Sequence, residues 1–175
     1  MLEFGARSTG EPAALRDIVC DAASAVNGVR FPTAQPQVML AERTFWEKAT
    51  AIHVFCLQER MRGGRFSRHW HDIARLDAAG IAYAAIRDRS LSQAVARHKG
   101  MFFAEKAADG GKVDYVAAVT GGLQLVPSGA ALGLLAGDYR RMVEDGLLAV
   151  APEPFDVLMD RCADIARRVN EAARG

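Results

Sequence analysis

The hydrophobic pattern of the chain is most regular over residues 41–72, which read as a helix, a Gly-Gly loop and a second helix. At about 100° per residue, the apolar positions of the first helix share one arc, which predicts its buried face: Phe45, Ala49, Ile52 and Cys56. Polar positions share the opposite arc: Arg43, Glu47, Thr50 and Gln58. Because Arg43 and Glu47 are i,i+4 neighbours, an exposed ion pair is expected between them.

Before this helix pair, the pattern predicts a short strand, a helix and an extended segment. Residues 2–4 alternate like a strand, and Glu11-Pro12 is typical of a helix start because proline is tolerated in the first turn. Asn27-Gly28 would end that helix. Its predicted buried stripe is Leu15, Ile18, Val19, Ala22 and Val26. Two prolines within residues 29–37 predict an extended segment and a boundary between sub-domains.

After the pair, the pattern predicts mainly helices. Gly80 precedes a short apolar helix over residues 81–87, and Ser90 is the predicted cap of a helix over residues 91–98. Two aromatic residues are then predicted to be core: Phe102 and Phe103. Residues 108–112 form a polar loop that contains glycine.

Residues 113–126 fit both helix and strand, and a helix followed by a short strand at residues 123–126 is the interpretation adopted. Pro127-Ser128 begins another helix. The last helix has a regular apolar stripe: Leu158, Cys162, Ile165 and Val169. The fold class predicted is α+β, predominantly α-helical, with domains at residues 1–38 and 39–175.

Composition restricts the classes of function. Half of the 175 residues are hydrophobic, which is enough for one ordinary core. Twenty-two basic residues against 21 acidic ones give no global field for nucleic acid, so any such binding must rest on a local patch. No apolar run approaches the roughly 20 residues that span a membrane. Three widely spaced cysteines favour reduced core thiols in a cytoplasmic protein: Cys20, Cys56 and Cys162.

Lys48 places an ammonium group beside the predicted apolar face of the first helix. Burial of a lone charge costs several kcal/mol, which implies a partner carboxylate or an anionic ligand. The nearest candidate in sequence is Asp72 on the second helix, and a cross-helix contact between the two is a hypothesis. The alternatives are that the head of Lys48 reaches water, and that Asp72 pairs with Arg68 or Arg75 on its own helix.

The loop between the two helices is basic, with arginines at four positions: Arg60, Arg62, Arg65 and Arg68. Phe66 and Trp70 alternate with them. Arginines bind phosphates bidentately and aromatic rings stack on bases, so this loop is a candidate contact for RNA or a nucleotide. A solvated connecting loop is the alternative.

His69 and His71 do not predict a metal site. Being two residues apart on a helix, they point about 200° from each other and cannot share an ion. His69 faces the apolar side, where it is either a hydrogen-bonded core histidine or a contact to substrate.

The runs ERTFWEKATAIH and RFSRHWHDIARL resemble the second half of the AbiEii/AbiGii-type nucleotidyltransferase toxins of bacterial abortive-infection and toxin–antitoxin systems, which act in phage defence. The runs LEFGARSTGEP, DYRRM, PFD and RVN extend the resemblance over residues 1–170. By this resemblance, Lys48 matches a lysine that binds nucleotide phosphates, and Asp72 matches an aspartate that supports catalysis.

The resemblance also implies substrates and partners. The candidate contacts to the nucleotide or RNA are Arg65 and Arg68 of the basic loop and His69 on the apolar side of the second helix. The intact enzyme would use Mg²⁺ to transfer a nucleotide from a nucleoside triphosphate (NTP) to an RNA acceptor, for example the 3′ end of tRNA. A cognate antitoxin is the implied partner.

The chain departs from the family at its metal-binding motif. The family carries a Gly-Ser turn followed by two aspartates separated by one residue, whereas this chain has no Asp-X-Asp ahead of Lys48. Residues 1–7 resemble a strand from the middle of the family's chain. Residues 1–38 are therefore predicted to be a remnant of the nucleotidyltransferase core and residues 39–175 a helical carboxy-terminal domain. Alone, the chain is expected to bind no cofactor tightly and to be inactive.

Two other readings belong to different classes of function. One is a non-catalytic helical remnant or interaction module that binds an antitoxin or a second copy of itself, since an unpaired strand at residues 2–4 favours homo-oligomers. The other is a small RNA-binding protein that uses the arginine loop.

Overall fold

The computed structural model describes residues 9–59, 64–148 and 152–175. The chain divides into two compact units, Met1–Leu40 and Ala41–Gly175. The described residues form seven α-helices and four short strands, which confirms a predominantly helical α+β fold. None of these helices is long and apolar enough to cross a membrane. The strand predicted at residues 2–4 lies outside the described residues.

The first unit consists of two short antiparallel strand pairs. Strand β1 (Ala13–Leu15) pairs with β4 (Gln37–Met39), with Ala14 opposite Val38. Strand β2 (Ile18–Val19) pairs with β3 (Thr33–Ala34), and a 3-10 turn at Asp21–Ser24 follows β2. The chain thus folds back on itself, and the extended segment predicted at residues 29–37 is confirmed by β3 and the start of β4.

The helix predicted after Pro12 is wrong. Its expected buried stripe is largely in solvent, because Leu15, Ile18, Val19 and Val26 are between 43% and 60% exposed. The backbone of this segment instead hydrogen-bonds to residues 33–39, and β-branched residues such as Ile18 and Val19 suit that strand pairing. Cys20 is also exposed, so it is not the core thiol that its helical pattern predicted.

The second unit contains all seven helices. They are α1 (Ala41–Gln58), α2 (Arg68–Ala78), α3 (Ile81–Arg87), α4 (Arg89–Phe102), α5 (Tyr115–Val119), α6 (Gly129–Glu144) and α7 (Phe155–Ala172). Helix α1 is the centre of the unit because it contacts α2, α3, α4 and α5. Helix α2 packs between α1, α3 and α7. The predicted helix pair and the predicted short helix after Gly80 are confirmed.

The predicted apolar arc of α1 forms the core. Phe45, Ala49 and Ile52 are fully buried, and Cys56 is nearly so. The predicted stripe of α7 is buried as well: Leu158, Cys162, Ile165 and Val169. Two buried tryptophans find acceptors for their indole N–H groups, since Trp46 donates to the carbonyl of Ala85 at 3.0 Å and Trp70 to that of Leu125 at 2.7 Å. Both indole N–H groups are thus hydrogen-bonded inside the apolar core.

The opposite arc of α1 is buried too, which the amphipathic pattern did not predict. Thr50 is fully buried, Gln58 is 7% exposed and Arg43 only 4% exposed. Arg43 does pair with Glu47, with 3.0 Å between Nη2 and Oε1, but the expectation of an exposed pair is wrong. The physical reason is that helices pack around α1 on several sides, so its polar arc is covered as well.

Two local predictions after α3 need correction. The cap of α4 is Asp88, whose Oδ1 accepts the N–H of Leu91 at 2.9 Å, whereas Ser90 only donates its hydroxyl to Asp88 at 2.8 Å. Phe103 packs against the core as predicted, but Phe102 is 52% exposed. Phe102 is the last residue of α4 and lies on the side of the helix that faces solvent. An aromatic side chain alone was therefore not enough to predict burial at this position.

The strand predicted at residues 123–126 is absent, although the helix before it is confirmed by α5. The segment has no regular secondary structure, and side chains accept its backbone N–H groups in place of a partner strand. The N–H of Leu123 donates to Asn170 Oδ1 at 2.8 Å, and the N–H of Gln124 donates to His53 Nδ1 at 3.1 Å. These bonds satisfy buried backbone without a sheet.

The entry into α2 is fixed by a carboxylate from α6. Asp138 is 3% exposed, and it accepts the N–H of Arg65 at 2.8 Å and the N–H of Ser67 at 2.9 Å. Arg65 has a φ of 67°, a left-handed conformation that costs roughly 1–2 kcal/mol outside glycine. Burial raises the pKa of Asp138, but these hydrogen bonds outweigh it and hold the pKa below its usual value. Helix α6 therefore holds a strained turn in place.

We expect Asp138→Ala to destabilise the protein by about 2–4 kcal/mol, because it removes a charged acceptor and leaves two backbone donors without a partner. Urea unfolding measures the change. Asp160→Ala, at an exposed position of α7, is the matched control and should stay within about 0.5 kcal/mol of the wild type. Equal stabilities for the two variants would contradict the role given to Asp138.

His53 should make stability depend on pH. Burial lowers its pKa from 6.5 to about 4, against the opposing effect of Asp114, and its Nδ1 must stay unprotonated to accept the N–H of Gln124. The unfolded chain binds the proton at higher pH, so stability is present above about pH 6.5 and is lost toward pH 4. The free energy of unfolding should fall by about 2 kcal/mol more between pH 7 and pH 5 in the wild type than in His53→Gln. An equal fall in both proteins would exclude His53 as the cause.

Candidate functional site

Lys48 and Asp72 form an ion pair that joins α1 to α2. The Nζ of Lys48 donates to Oδ2 of Asp72 at 2.6 Å, which confirms the hypothesis of a cross-helix contact. The Lys48 side chain is 24% exposed and that of Asp72 is 41% exposed. Among the described residues, Asp72 makes no ion pair with Arg68 or Arg75. The charge of Lys48 is thus balanced by the next helix while both groups remain accessible.

His69 lies beside this ion pair as a neutral ring. Its Nδ1 is 3.4 Å from Nζ of Lys48, and an ammonium group can only donate, so the proton of the imidazole belongs on Nε2. The pKa of His69 is lowered to about 4, mainly by burial and also by the charges of Lys48 and Arg68, while Asp72 opposes these effects. The ring packs against Phe55, with 5.9 Å between centroids. One N–H of Lys48 has no partner among the described residues and is available to a ligand.

Lys99 adds a second lysine to this group. Its Nζ donates to Oε2 of Glu47 at 2.6 Å, while the other oxygen of Glu47 accepts from Arg43. The charge of Lys99 also contributes to the lowered pKa of His69. Three cations therefore face two carboxylates, Glu47 and Asp72, which leaves one net positive charge on these five side chains.

Sequence reasoning did not single out Lys99, although a signal existed. Lys99 lies four residues after the fully buried Val95, so it occupies the buried face of α4 just as Lys48 occupies that of α1. A lysine at such a position needs a carboxylate or an anionic ligand for the same reason. The same reasoning that selected Lys48 would have selected Lys99.

The other side of Asp72 borders a cavity of about 480 Å³ that we name the arginine cavity. Its polar lining consists of Arg65, Arg68, Arg75, His71 and Asp72. Within the described part of the chain, none of the three arginines has a carboxylate partner. Asp72, the only carboxylate among the described lining residues, already binds Lys48. Three unpaired guanidinium groups around one cavity favour an anionic ligand.

Part of the predicted basic loop lines this cavity. Arg65 and Arg68 lie together as predicted, whereas Arg60 and Arg62 lie outside the described residues. Arg75 is an addition, because it had been considered only as an ion-pair partner of Asp72. The strained backbone of Arg65 and its bond to Asp138 fix one edge of the cavity.

The described residues do not fit a Mg²⁺ site. Among them, no group of three or more His, Cys, Asp or Glu side chains is close enough to hold a metal ion. The two carboxylates of the site, Glu47 and Asp72, are bound to cationic side chains instead. The use of Mg²⁺ by an intact enzyme stays a prediction from the resemblance.

Comparison with known proteins assigns the chain to a family. The family model described as nucleotidyl transferase AbiEii toxin, type IV toxin–antitoxin system, matches residues 1–161. No curated protein and no solved structure matches the chain significantly. The matched range includes the ion pair, Lys99, the arginine cavity and Asp138. The resemblance first read from the runs around Lys48 and Asp72 is therefore confirmed, and the chain belongs to the AbiEii nucleotidyltransferase toxin family.

Proposed function

We propose that residues 41–175 provide the triphosphate-binding side of a nucleotidyltransferase that moves a nucleotide from an NTP to an RNA acceptor. The observation that carries this proposal is the Lys48–Asp72 pair, which leaves one ammonium N–H of Lys48 available next to a neutral histidine. Family membership supports the reaction class, while the RNA acceptor and its proposed example, the 3′ end of tRNA, extend beyond it.

The role of Lys48 is to bind phosphate oxygens. In nucleotidyl transfer, an acceptor hydroxyl attacks the α-phosphorus, the hydroxyl proton leaves and pyrophosphate departs. The protein contributes mainly by positioning the reactants and neutralising their charge. Lys48 suits this because its ammonium is a point cation on a side chain that is only 24% exposed. Lys99 adds positive charge within the same group of side chains.

Asp72 has two roles open to it. Its Oδ2 holds the ammonium of Lys48, which orients that group. Its other oxygen has no partner among the described residues, and Asp72 lines the arginine cavity. A base role therefore requires the acceptor hydroxyl to approach from that cavity.

The arginine cavity is the proposed site for the acceptor. Arg65, Arg68 and Arg75 border Asp72, so phosphates of an RNA strand bound there would place its end near the proposed nucleotide site. His69 contacts Lys48 and is assigned to the nucleotide side. The charge on the whole chain is only +1, so this local cluster, and not a global field, would attract RNA.

We further propose that the 175-residue chain has little or no transferase activity by itself. It lacks the family's Asp-X-Asp, and its described residues do not fit a metal site. Labelled NTP, RNA and Mg²⁺ incubated with the purified chain should give no labelled RNA. Detectable incorporation would refute this part of the proposal.

The alternative is a non-catalytic module that binds an antitoxin or a second copy of the chain. The family belongs to a toxin–antitoxin system, so an antitoxin is its expected counterpart. One observation favours a contact surface, because Leu15, Ile18 and Val19 of the first unit are more than half exposed. This alternative predicts concentration-dependent association without any binding of NTP.

Lys48→Gln should weaken NTP binding at least tenfold, about 1.4 kcal/mol, because it replaces the charged donor with a neutral amide on a shorter side chain. Isothermal titration calorimetry measures the affinity. Lys112→Gln, at an exposed lysine between α4 and α5, is the matched control and should bind as the wild type does.

Asp72→Asn separates the two roles of that residue in the same assay. If Asp72 orients Lys48, the variant should bind NTP several-fold more weakly; if Asp72 is only a base, its affinity should not fall. Equal affinities in the wild type and Lys48→Gln would remove the basis of the proposed function.

The double variant Arg68→Gln and Arg75→Gln should weaken binding of single-stranded RNA and reduce its salt dependence. Each lost phosphate contact should lower the slope of log K against log salt by about 0.7. Arg97→Gln, at an exposed position of α4, controls for the loss of charge. An unchanged slope in the double variant would exclude the arginine cavity as an RNA site.

A further inference from the structure

A small aromatic cavity lies next to Lys99 in the second unit. It has a volume of about 180 Å³ and lies between α1, α4, α5 and the segment after α4. Its walls include three aromatic rings, those of Phe55, Phe103 and Tyr115. Ligand pockets for drug-sized molecules span about 300–1,000 Å³, so this cavity has room for one planar ring system and not for a whole nucleotide.

The cavity is connected to the proposed phosphate site through two of its own lining residues. Lys99 lines it and binds Glu47 on the phosphate side. Phe55 lines it and also packs against His69, the neighbour of Lys48. On α1, Phe55 lies seven residues after Lys48 on a similar face, which separates them by about 10 Å along the helix axis. This separation suits a ligand with phosphates at one end and a ring at the other.

The lining provides both stacking and a polar contact for a heteroaromatic ring. The ammonium of Lys99 lies 4.5 Å from the centroid of the Phe103 ring, so the cavity combines aromatic faces with a cation at its edge. Every base has a π-face, so a base stacked on these aromatic side chains gains binding energy from the contact. An aliphatic ligand would gain no such stacking.

Glu105 is a fixed hydrogen-bond acceptor on the wall of this cavity. Its Oε2 accepts from Nε2 of Gln58 at 2.8 Å, and the same amide nitrogen is held by the carbonyl of Lys106 at 3.2 Å. The second carboxylate oxygen of Glu105 has no partner among the described residues. A carboxylate accepts from the amino groups of bases and repels their carbonyl oxygens.

We propose that this cavity binds the base of the nucleoside triphosphate and that Glu105 selects bases with an exocyclic amino group over uracil. Lys48 and Lys99 then hold the phosphates while Phe55 and Phe103 contact the base. This inference rests on the proposed nucleotide site. It adds that the protein recognises the base of the nucleotide as well as its phosphates.

The test compares three probes by calorimetry: inorganic tripolyphosphate, CTP and UTP. CTP and UTP have the same ring size and phosphate charge, but CTP presents an amino group where UTP presents a carbonyl. CTP should bind at least tenfold more tightly than tripolyphosphate and at least fivefold more tightly than UTP. Glu105→Gln should reduce the preference for CTP over UTP to less than twofold.

Ala51→Leu fills the cavity from α1 without changing any charge. It should lower the affinity for CTP to near that for tripolyphosphate, and leave tripolyphosphate binding within twofold of the wild type. Ala136→Leu, at a half-buried alanine of α6 that lines a different cavity, is the matched control. Phe103→Leu is a second variant that keeps an apolar residue but removes the stacking surface, and it should weaken CTP binding alone.

The outcomes separate this inference from the function on which it rests. If tripolyphosphate, CTP and UTP bind equally and Lys48→Gln weakens all three, the phosphate site stands and the base cavity is rejected. If Ala51→Leu and Phe103→Leu bind CTP as tightly as the wild type, the cavity is likewise rejected. If none of the three probes binds, the proposed function fails together with the inference.

Discussion

The second unit depends on how its partly buried cations are neutralised. Lys48 lies on the central helix and is balanced by Asp72 from α2, while Lys99 and Arg43 share Glu47. Exposed ion pairs contribute only about 0–1 kcal/mol to stability, so the main effect of these contacts is to position the side chains. They hold ammonium groups at fixed points on a rigid helix pair, next to a histidine that burial keeps neutral. Such preorganisation is what recognition of a charged phosphate chain requires.

Helix α6 stabilises the same site from a more distant position in the sequence. Asp138 on α6 binds the backbone ahead of α2 and stabilises a left-handed residue at Arg65. Since α2 carries Asp72 and His69, α6 influences the site without lining the phosphate side. Strain held by a buried carboxylate at this turn is consistent with a site whose geometry matters more than its local stability.

The arrangement of charge explains how a nearly neutral chain can form a site for anions. Basic and acidic residues balance over the whole sequence, yet the arginine cavity gathers three guanidinium groups that no described carboxylate neutralises. The aromatic cavity adds a different chemistry, and part of its wall belongs to α1. Asp72 on α2 lines the arginine cavity and binds Lys48 on α1, so this ion pair connects the sites of both proposed ligands.

The sequence by itself determined the elements whose pattern is local. Helical periodicity located α1, α2 and α7, and the physics of a buried charge required a partner for Lys48. Helical periodicity predicted the wrong element after Pro12. The apolar spacing there suits a helix, but the segment forms strands that pair with residues 33–39. Only the tertiary structure decided the burial of Arg43, the pairing of Lys99 with Glu47 and the role of Asp138, which lies 73 residues from Arg65. Each of these depends on contacts between distant segments, and no local periodicity encodes which segments meet.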